Sequence, residues 1–350
     1  MTERLRCGIV GCGTIAPTHM ESLKLQENVE VTWACDLVEE KAKKLAERYG
    51  IPHVTTDFHE LAGAKDVDVV HVCTDHASHS PITVAALEGG KHVLCEKAFA
   101  ASTEGLDAMI EAHGRAGGLA LGSVFQHRFD APYRYLKELV DEGVFGTILT
   151  ACVQVHCRRT NDYYAADAWR GTWAQEGGSV LINQAIHFID SLVWVMGGVE
   201  SLAGAWKNLT HGDGIETEDT ATAALRFRSG ALGTLEATSS SNIGWEATLS
   251  IHGSEGAVDL RRGKPLKIKF EDASLQARLE EGFATCEDTQ KIEAGKSYYG
   301  AGHPSQIADF IAAVREGREP FVTAESARHT VDVVLAVYES SKSGRWVDIA

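Results

Sequence analysis

Short apolar runs alternate with amphipathic stretches through the first third of the chain. Leu5 to Val10, Val29 to Cys35, and Val67 to Cys73 (broken only by Asp68 and His71) are apolar runs, and His92 to Cys95 and Leu119 to Val124 follow them. Continuous runs of this length predict strands buried on both faces. Lys41 to Tyr49 has helical spacing and is stopped by Gly50 and Pro52. Pro81 to Leu87 reads as a helix with Pro81 in its first turn and Gly89-Gly90 closing it. Ser102 to Ala116 is a third helix behind an imperfect capping box. Strand alternating with helix predicts a parallel sheet covered on both faces.

From about residue 145 the pattern changes. Gly146 to Cys157, Ser201 to Leu209, Thr220 to Arg228, Ala231 to Thr238 and Trp245 to His252 read as consecutive strands separated by glycine and serine turns. One long helix, Ser179 to Met196, interrupts them, and His303 to Arg315 and Ala324 to Ser341 are helical by period. Runs of strands with few helices predict an α+β domain on an antiparallel or mixed sheet. The expected division is therefore 1–124 and 125–350, an α/β chain of two domains. The second sheet offers a face large enough for a dimer interface.

The first strand enters Gly11-Cys12-Gly13-Thr14-Ile15-Ala16, a GxGxxA loop, and the second strand ends on Asp36 about twenty residues after it. Gly11 allows the tight turn, Gly13 admits a pyrophosphate close to the backbone, and Ala16 keeps the next helix near the sheet. Thr14 and Ile15 open that helix, whose N–H groups and positive dipole end suit phosphate. Asp36 would accept from a ribose 2′-OH and repel a 2′-phosphate. A glycine loop alone is a weak signal. Between strand and helix, with an acid at this distance, it predicts NAD binding in preference to NADP.

Composition narrows the partners. The chain has 350 residues, and 44% of them are apolar and 23% charged, as in globular proteins. A net charge of −16 disfavours nucleic acid and anionic membrane surfaces. No apolar run approaches the roughly 20 residues of a membrane span, and no signal-peptide pattern opens the chain. Eight cysteines without a CxxC pair suit free thiols in a reducing cytoplasm. Fifteen histidines show no metal-ligand spacing, so no metal is expected.

Two strand ends of the first sheet should border a nicotinamide: Cys73-Thr74-Asp75-His76-Ala77-Ser78-His79 and Cys95-Glu96-Lys97-Ala98. Lys97 beside an oxidised nicotinamide would lose basicity through desolvation and like charge, and could then exchange a proton or donate to a substrate hydroxyl. A surface lysine paired with Glu96 is an equally good reading of Lys97 taken alone. On the long helix, Asn183, His187 and Asp190 follow i, i+4, i+7 on an otherwise apolar face and require partners or a cavity. Without the dinucleotide loop, His187 would read as a satisfied core histidine. Arg158-Arg159, Tyr163-Tyr164, Trp169-Arg170 and Trp173 supply aromatic faces for sugar rings and cations for carboxylate or phosphate. Each tryptophan taken singly also reads as core packing.

The GCGTIA loop with Asp36, TDHASH, Glu96-Lys97, WRGTW, GGSVLINQAIHFID, GSEG and HPSQIADFIAAVREGREP stand in the order of blocks in one family. Over nearly its whole length the chain resembles the glucose–fructose oxidoreductase / inositol dehydrogenase / rhizopine-catabolism (Gfo/Idh/MocA) family. The resemblance implies an N-terminal Rossmann domain, a C-terminal α/β domain with an open, mainly antiparallel sheet, and NAD(P)-dependent chemistry on sugars, cyclitols or their derivatives. Lys97 matches the family lysine of the EKP block, His187 the helix histidine, and Thr74 and His79 the TPNxxH block. Asn183 stands where many members have Asp, a form also found in members acting on nucleotide sugars. Ala98 replaces the proline that often follows the lysine, and because cis bonds are mostly a proline phenomenon this puts a cis peptide there in doubt.

Together these readings predict an NAD-dependent oxidoreductase of a sugar-like substrate, nucleotide sugars included. Lys97, His187 and Asn183 are the expected catalytic group. Gly11, Gly13, Thr14, Ile15, Asp36, Thr74, His79, Glu96 and Lys97 are expected at the cofactor, and Arg159, Tyr163, Trp169, Arg170, Asn183 and His187 at the substrate, in a cleft between the domains. A cytoplasmic homodimer or homotetramer is expected. The rival readings are a glycosidase using NAD for transient oxidation and elimination, and a non-catalytic dinucleotide sensor.

Overall fold

The computed structural model describes residues 4–286 and 302–349. By its contacts the chain falls into two units, residues 1–126 with 289–328, and residues 127–288 with 329–350.

The first unit is built on β1 (Leu5–Val10), β2 (Val29–Cys35), β3 (His53–Thr55), β4 (Val69–Val72), β5 (His92–Cys95) and β6 (Leu121–Ser123). All pair in parallel in the order β3-β2-β1-β4-β5-β6. This is the doubly wound order, whose direction reverses beside β1 and so opens a crevice beyond its carboxyl end. Helices α1 (Ala16–Lys24), α2 (Glu39–Tyr49), α3 (Phe58–Gly63), α4 (His76–Glu88) and α5 (Thr103–Ala116) make the crossovers. Ile9, Ala34 and Cys73 pack with Met20 of α1 and Leu45 of α2 on one face. Helix α4 starts five residues before the expected position, because Asp75 caps it by accepting from the Ser78 amide at 3.2 Å. Pro81 therefore lies inside it.

The second unit holds α6 (Ala131–Asp141), β7 (Ile148–Arg158), α7 (Asn161–Ala165), a π-helix (Val180–Ala185), α8 (Ile186–Val195), β8 (Val199–Lys207), β9 (Thr220–Phe227), β10 (Leu232–Thr238), β11 (Ser240–Gly253), β12 (Gly256–Arg261), β13 (Lys264–Phe270) and α9 (Ala273–Ala284). Helices α10 (Gly302–Glu316) and α11 (Ala324–Ser343) and strand β14 (Val347–Asp348) follow. The eight-stranded sheet runs β13-β12-β11-β7-β10-β9-β8-β14, antiparallel apart from the β7–β10 pair. Alternating burial along β9 and β10 gives it one buried face and one open face. The expected strands are present, joined by β12, β13 and β14.

Two further features differ from the sequence-based expectation. The long helix begins as a π-turn over Val180–Ala185 and becomes α-helical only from Ile186. Helix α10 belongs by contact with the first unit and not with residues 125–350, because Ile307, Phe310 and Ile311 bury against Cys7, Leu23, Val69 and Leu94 of the first sheet and its helix α1.

Candidate active site

In the first unit, β1 delivers Gly11 at φ +92, a conformation that suits glycine; a Cβ there would meet the Cys73 backbone carbonyl at 2.5 Å. The Gly11 amide donates to the Cys35 carbonyl at 2.8 Å, tying the loop to the end of β2. Gly13 and Thr14 are exposed, a Cβ on Gly13 would meet nothing within 4 Å, and no side chain caps α1 at Ile15. Open backbone at an uncapped helix start fits a pyrophosphate. The half-buried Asp36 carboxylate accepts from the Cys12 amide at 2.8 Å and from the Val38 amide at 2.9 Å. It is thus fixed at the end of β2, where a ribose would be read. These residues fit NAD.

The two strand ends are held from beneath. His79 is fully buried, with Nδ1 2.7 Å from the Ala98 carbonyl and Nε2 3.2 Å from the Thr74 carbonyl. Burial pushes its pKa down, so the ring is neutral and donates through Nδ1, the shorter contact. Glu96 also faces inward, its Oε1 2.9 Å from His19 Nε2 and its Oε2 accepting from the Lys97 amide at 3.1 Å. Burial pushes the Glu96 pKa up, but the hydrogen bond and charge of His19, helped by His303 and Lys97, outweigh it and hold the carboxyl below its ordinary value. His19 Nδ1 lies 2.9 Å from His71 Nδ1 in the same buried chain. Both His79 and Glu96, expected at the cofactor, face the interior and brace the loops carrying Thr74 and Lys97. Thr74 and Lys97 are half-buried at the surface of those loops. The Lys97–Ala98 peptide is cis although no proline follows the lysine.

In the second unit the three polar positions of the long helix separate. Asp190 is fully buried in a bidentate ion pair with Arg128 (2.5 and 2.8 Å) and accepts from the Thr330 hydroxyl at 2.8 Å. It is structural. Asn183 and His187 are half-buried. The Asn183 side-chain amide donates to the fully buried Glu176, whose other oxygen accepts from the Gly171 amide. The His187 ring meets His127 edge-on, centroids 5.5 Å apart, and His127 Nδ1 lies 2.5 Å from Asp130.

Beside Asn183, Gln184 accepts from Arg159 Nε and Nη2 at 3.0 and 2.7 Å and donates to the Tyr163 hydroxyl at 3.0 Å. Arg159 and Arg170 lie over the Tyr163 ring at 4.9 and 4.2 Å, and Arg170 lies 5.7 Å from the half-buried Trp169. Arg159, Tyr163, Arg170 and Trp169 thus form one cationic, aromatic cluster, with Gln184 joining Arg159 to Tyr163, while Asn183 and His187 have the separate partners given above. Trp173 stands apart, packed on Trp206 and Tyr338, because the 169–173 segment is a run of turns and not a helix.

Comparison with known proteins decides the family. Residues 5–122 match the profile described as oxidoreductase family, NAD-binding Rossmann fold, and residues 137–349 match its C-terminal alpha/beta domain. The chain belongs to the Gfo/Idh/MocA oxidoreductases. It is 25% identical to the myo-inositol 2-dehydrogenase of Thermotoga maritima, over 99% of this chain and 98% of that one. It is 27% identical to the 1,5-anhydro-D-fructose reductase of Ensifer adhaerens, over 98% of each. Among solved structures, the WlbA dehydrogenase of Bordetella pertussis, crystallised with NADH and UDP-GlcNAcA, superposes with a TM-score of 0.89 at 27% identity, covering 100% of this chain and 99% of that one.

Within this Gfo/Idh/MocA fold, the sequence reading missed Glu176, Gln184, Glu218 and His127. Glu176 carried a weak signal, an acid just before Gly177-Gly178. Gly178 sits at φ +144, where a Cβ would fall 2.0 Å from the Tyr338 hydroxyl. Glu218 is fully buried and accepts from the Ser179 and Leu181 amides and the Tyr338 hydroxyl, which sets the start of the π-turn. Its partner amides lie nearly forty residues away, beyond any local pattern. Among the described residues no group of His, Cys, Asp or Glu has metal-site geometry.

Proposed function

We propose that this oxidoreductase transfers a hydride between NAD and a hydroxyl-bearing carbon, or the matching ketone, of a sugar-like substrate, nucleotide sugars included. When bound, NAD takes up or returns the hydride at its nicotinamide ring. Gly11, Gly13, Thr14 and Ile15 would hold the pyrophosphate and Asp36 the ribose. Lys97 and His187 carry the hydroxyl proton, and Asn183 orients the hydroxyl as a neutral hydrogen-bond partner. The observation that carries this reading is that Lys97 lies two residues beyond the end of β5, in the same sheet whose β1 and β2 present the glycine loop and Asp36. The Arg159–Tyr163–Arg170 cluster suits a sugar ring carrying an acidic or phosphorylated substituent, and the likeness to an enzyme crystallised with UDP-GlcNAcA agrees with that.

A panel of sugars, inositols, sugar acids and nucleotide sugars, followed by NADH absorbance, tests the activity. On the substrate found, Lys97→Ala and His187→Ala should each lower kcat by roughly 10²–10⁴-fold with NAD affinity intact, and Asn183→Ala by less. Near-normal kcat in His187→Ala would return that ring to the core and leave Lys97 as the sole proton carrier. We further propose a cytoplasmic homodimer or homotetramer built on the open sheet face, where Thr150, Gln154, Leu232 and Thr234 are exposed. Eight free cysteines support the compartment, and light scattering should give two or four chains per particle.

A further inference from the structure

Glu176 is a fully buried carboxylate in a unit where Asn183 already stands in the place of an acid. Its two oxygens have different partners. Oε1 accepts from the Asn183 side-chain amide, and Oε2 accepts from the Gly171 backbone amide. A carboxylate only accepts, so its partner end of Asn183 must be the NH₂ group. The amide is thereby fixed, with its carbonyl oxygen as the acceptor end toward the rest of its surroundings.

Resting on the function proposed above, we infer that Glu176 is a positioning residue, which sets Asn183 as a hydrogen-bond acceptor for a substrate hydroxyl adjacent to the reacting one. The reacting O–H has a single proton and must aim it at Lys97 or His187, so Asn183 orients it through its neighbour on the ring. An Asn183 presenting NH₂ would hold that neighbour by its oxygen instead and turn the direction of the hydrogen bond around. Glutamine cannot replace Glu176. It has one accepting oxygen for two N–H partners, so it either abandons the Gly171 amide or turns its own NH₂ toward Asn183 and forces that amide to flip. The Asn183 backbone amide donates to the Ser179 carbonyl at 3.0 Å, which holds the backbone from which the side chain projects.

A reciprocal exchange tests this. Glu176→Gln should lower kcat about 10- to 100-fold with NAD affinity and melting temperature near wild type, because the amide is turned and not removed. Asn183→Asp alone places two carboxylates face to face and should lower kcat by a similar factor. In the double variant, the amide introduced at position 176 accepts from Gly171 and donates to the carboxylate introduced at position 183. The second oxygen of that carboxylate again faces outward as an acceptor. The double variant's kcat should exceed that of either single variant by about tenfold or more. A merely structural Glu176 predicts additive losses. A double variant no faster than Glu176→Gln overturns the assignment, provided wild type is active on a panel sugar. A wild type inactive on every panel sugar overturns the functional reading and this inference with it. Should Glu176→Gln not fold, Asn183→Asp carries the test, and a kcat within twofold of wild type overturns the assignment.

Discussion

Asp36 is the side chain by which we propose this chain chooses its cofactor. Its carboxylate is held by the amides of Cys12 and Val38, so it cannot swing away from an incoming group. A ribose 2′-OH would donate to it; a 2′-phosphate would meet a fixed like charge, and the next residues, Leu37 and Val38, bring no cation. NAD should bind about tenfold or more tightly than NADP, and Asp36→Asn, which keeps an accepting oxygen, should narrow the gap mainly by improving NADP. Titration of both dinucleotides by calorimetry checks this, and equal constants in wild type would sink it. His79 and Glu96 teach the opposite lesson at the same scale. Their types and strand-end positions match cofactor contacts, yet both are spent on the interior, His79 on the Ala98 carbonyl and Glu96 on His19. Sequence spacing located the loops correctly and left open which side chains face outward, because that depends on partners such as His19, which lies 77 residues from Glu96.

At the scale of the element, the start of the long helix is set by Glu218. Burial pushes its pKa up to about 7, against the opposing pull of the Leu181 and Ser179 amides and the Tyr338 hydroxyl. In the unfolded chain an ordinary glutamate titrates near 4.5. A carboxyl raised on folding holds its proton more tightly in the folded state, so its contribution is fully present below pH 4.5 and is lost as pH rises through about 7. The loss is of order 3 kcal/mol at most. Glu218→Gln keeps an oxygen for the amides and has nothing to ionise. The stability of wild type relative to this variant should therefore fall between pH 5 and pH 8, as read from urea midpoints at each pH. A constant difference would show that Glu218 does not titrate there. Helical period made the stretch legible as one helix and put Asn183, His187 and Asp190 on one face. The π-turn breaks that period after Ser179, and Arg128, a partner 62 residues away, removes Asp190 from the set. Strands fared better, since each apolar run of the second unit is anchored by its own turns. In that unit only β12, β13 and the short β14 escaped, the last two with mostly exposed or half-buried residues that leave no apolar run, and in the first unit the three-residue β3 escaped.

At the scale of the molecule, the chain returns to its first unit after completing the second sheet. Helix α10 lies on α1 and the first sheet, with Phe310 and Ile311 each 1% exposed. The Gln306 side chain donates to the Ser123 carbonyl at 2.7 Å, and a bridge joins Gly122 to Thr323. A single cut near residue 124 was the natural reading of the sequence, because an amphipathic helix announces an apolar face without naming the sheet that covers it. The consequence is that the dinucleotide-binding unit depends on residues nearly two hundred positions beyond its last strand. Removing the ring of Phe310 deletes contacts at the centre of the cluster formed with Cys7, Leu23, Val69 and Leu94. A buried Phe→Ala change costs about 3–5 kcal/mol through lost transfer energy and the cavity left behind. Phe310→Ala should therefore speed amide hydrogen exchange in β1, β4 and β5 by a hundredfold or more, since about 1.4 kcal/mol is a factor of ten in the opening equilibrium. Exchange in β7, β9 and β10 should be unchanged, because Phe310 packs against none of them in this cluster. NAD binding should weaken along with β1, whose carboxyl end carries the glycine loop. Acceleration confined to β7–β10, or none in β1, would mean that α10 stabilises the other unit.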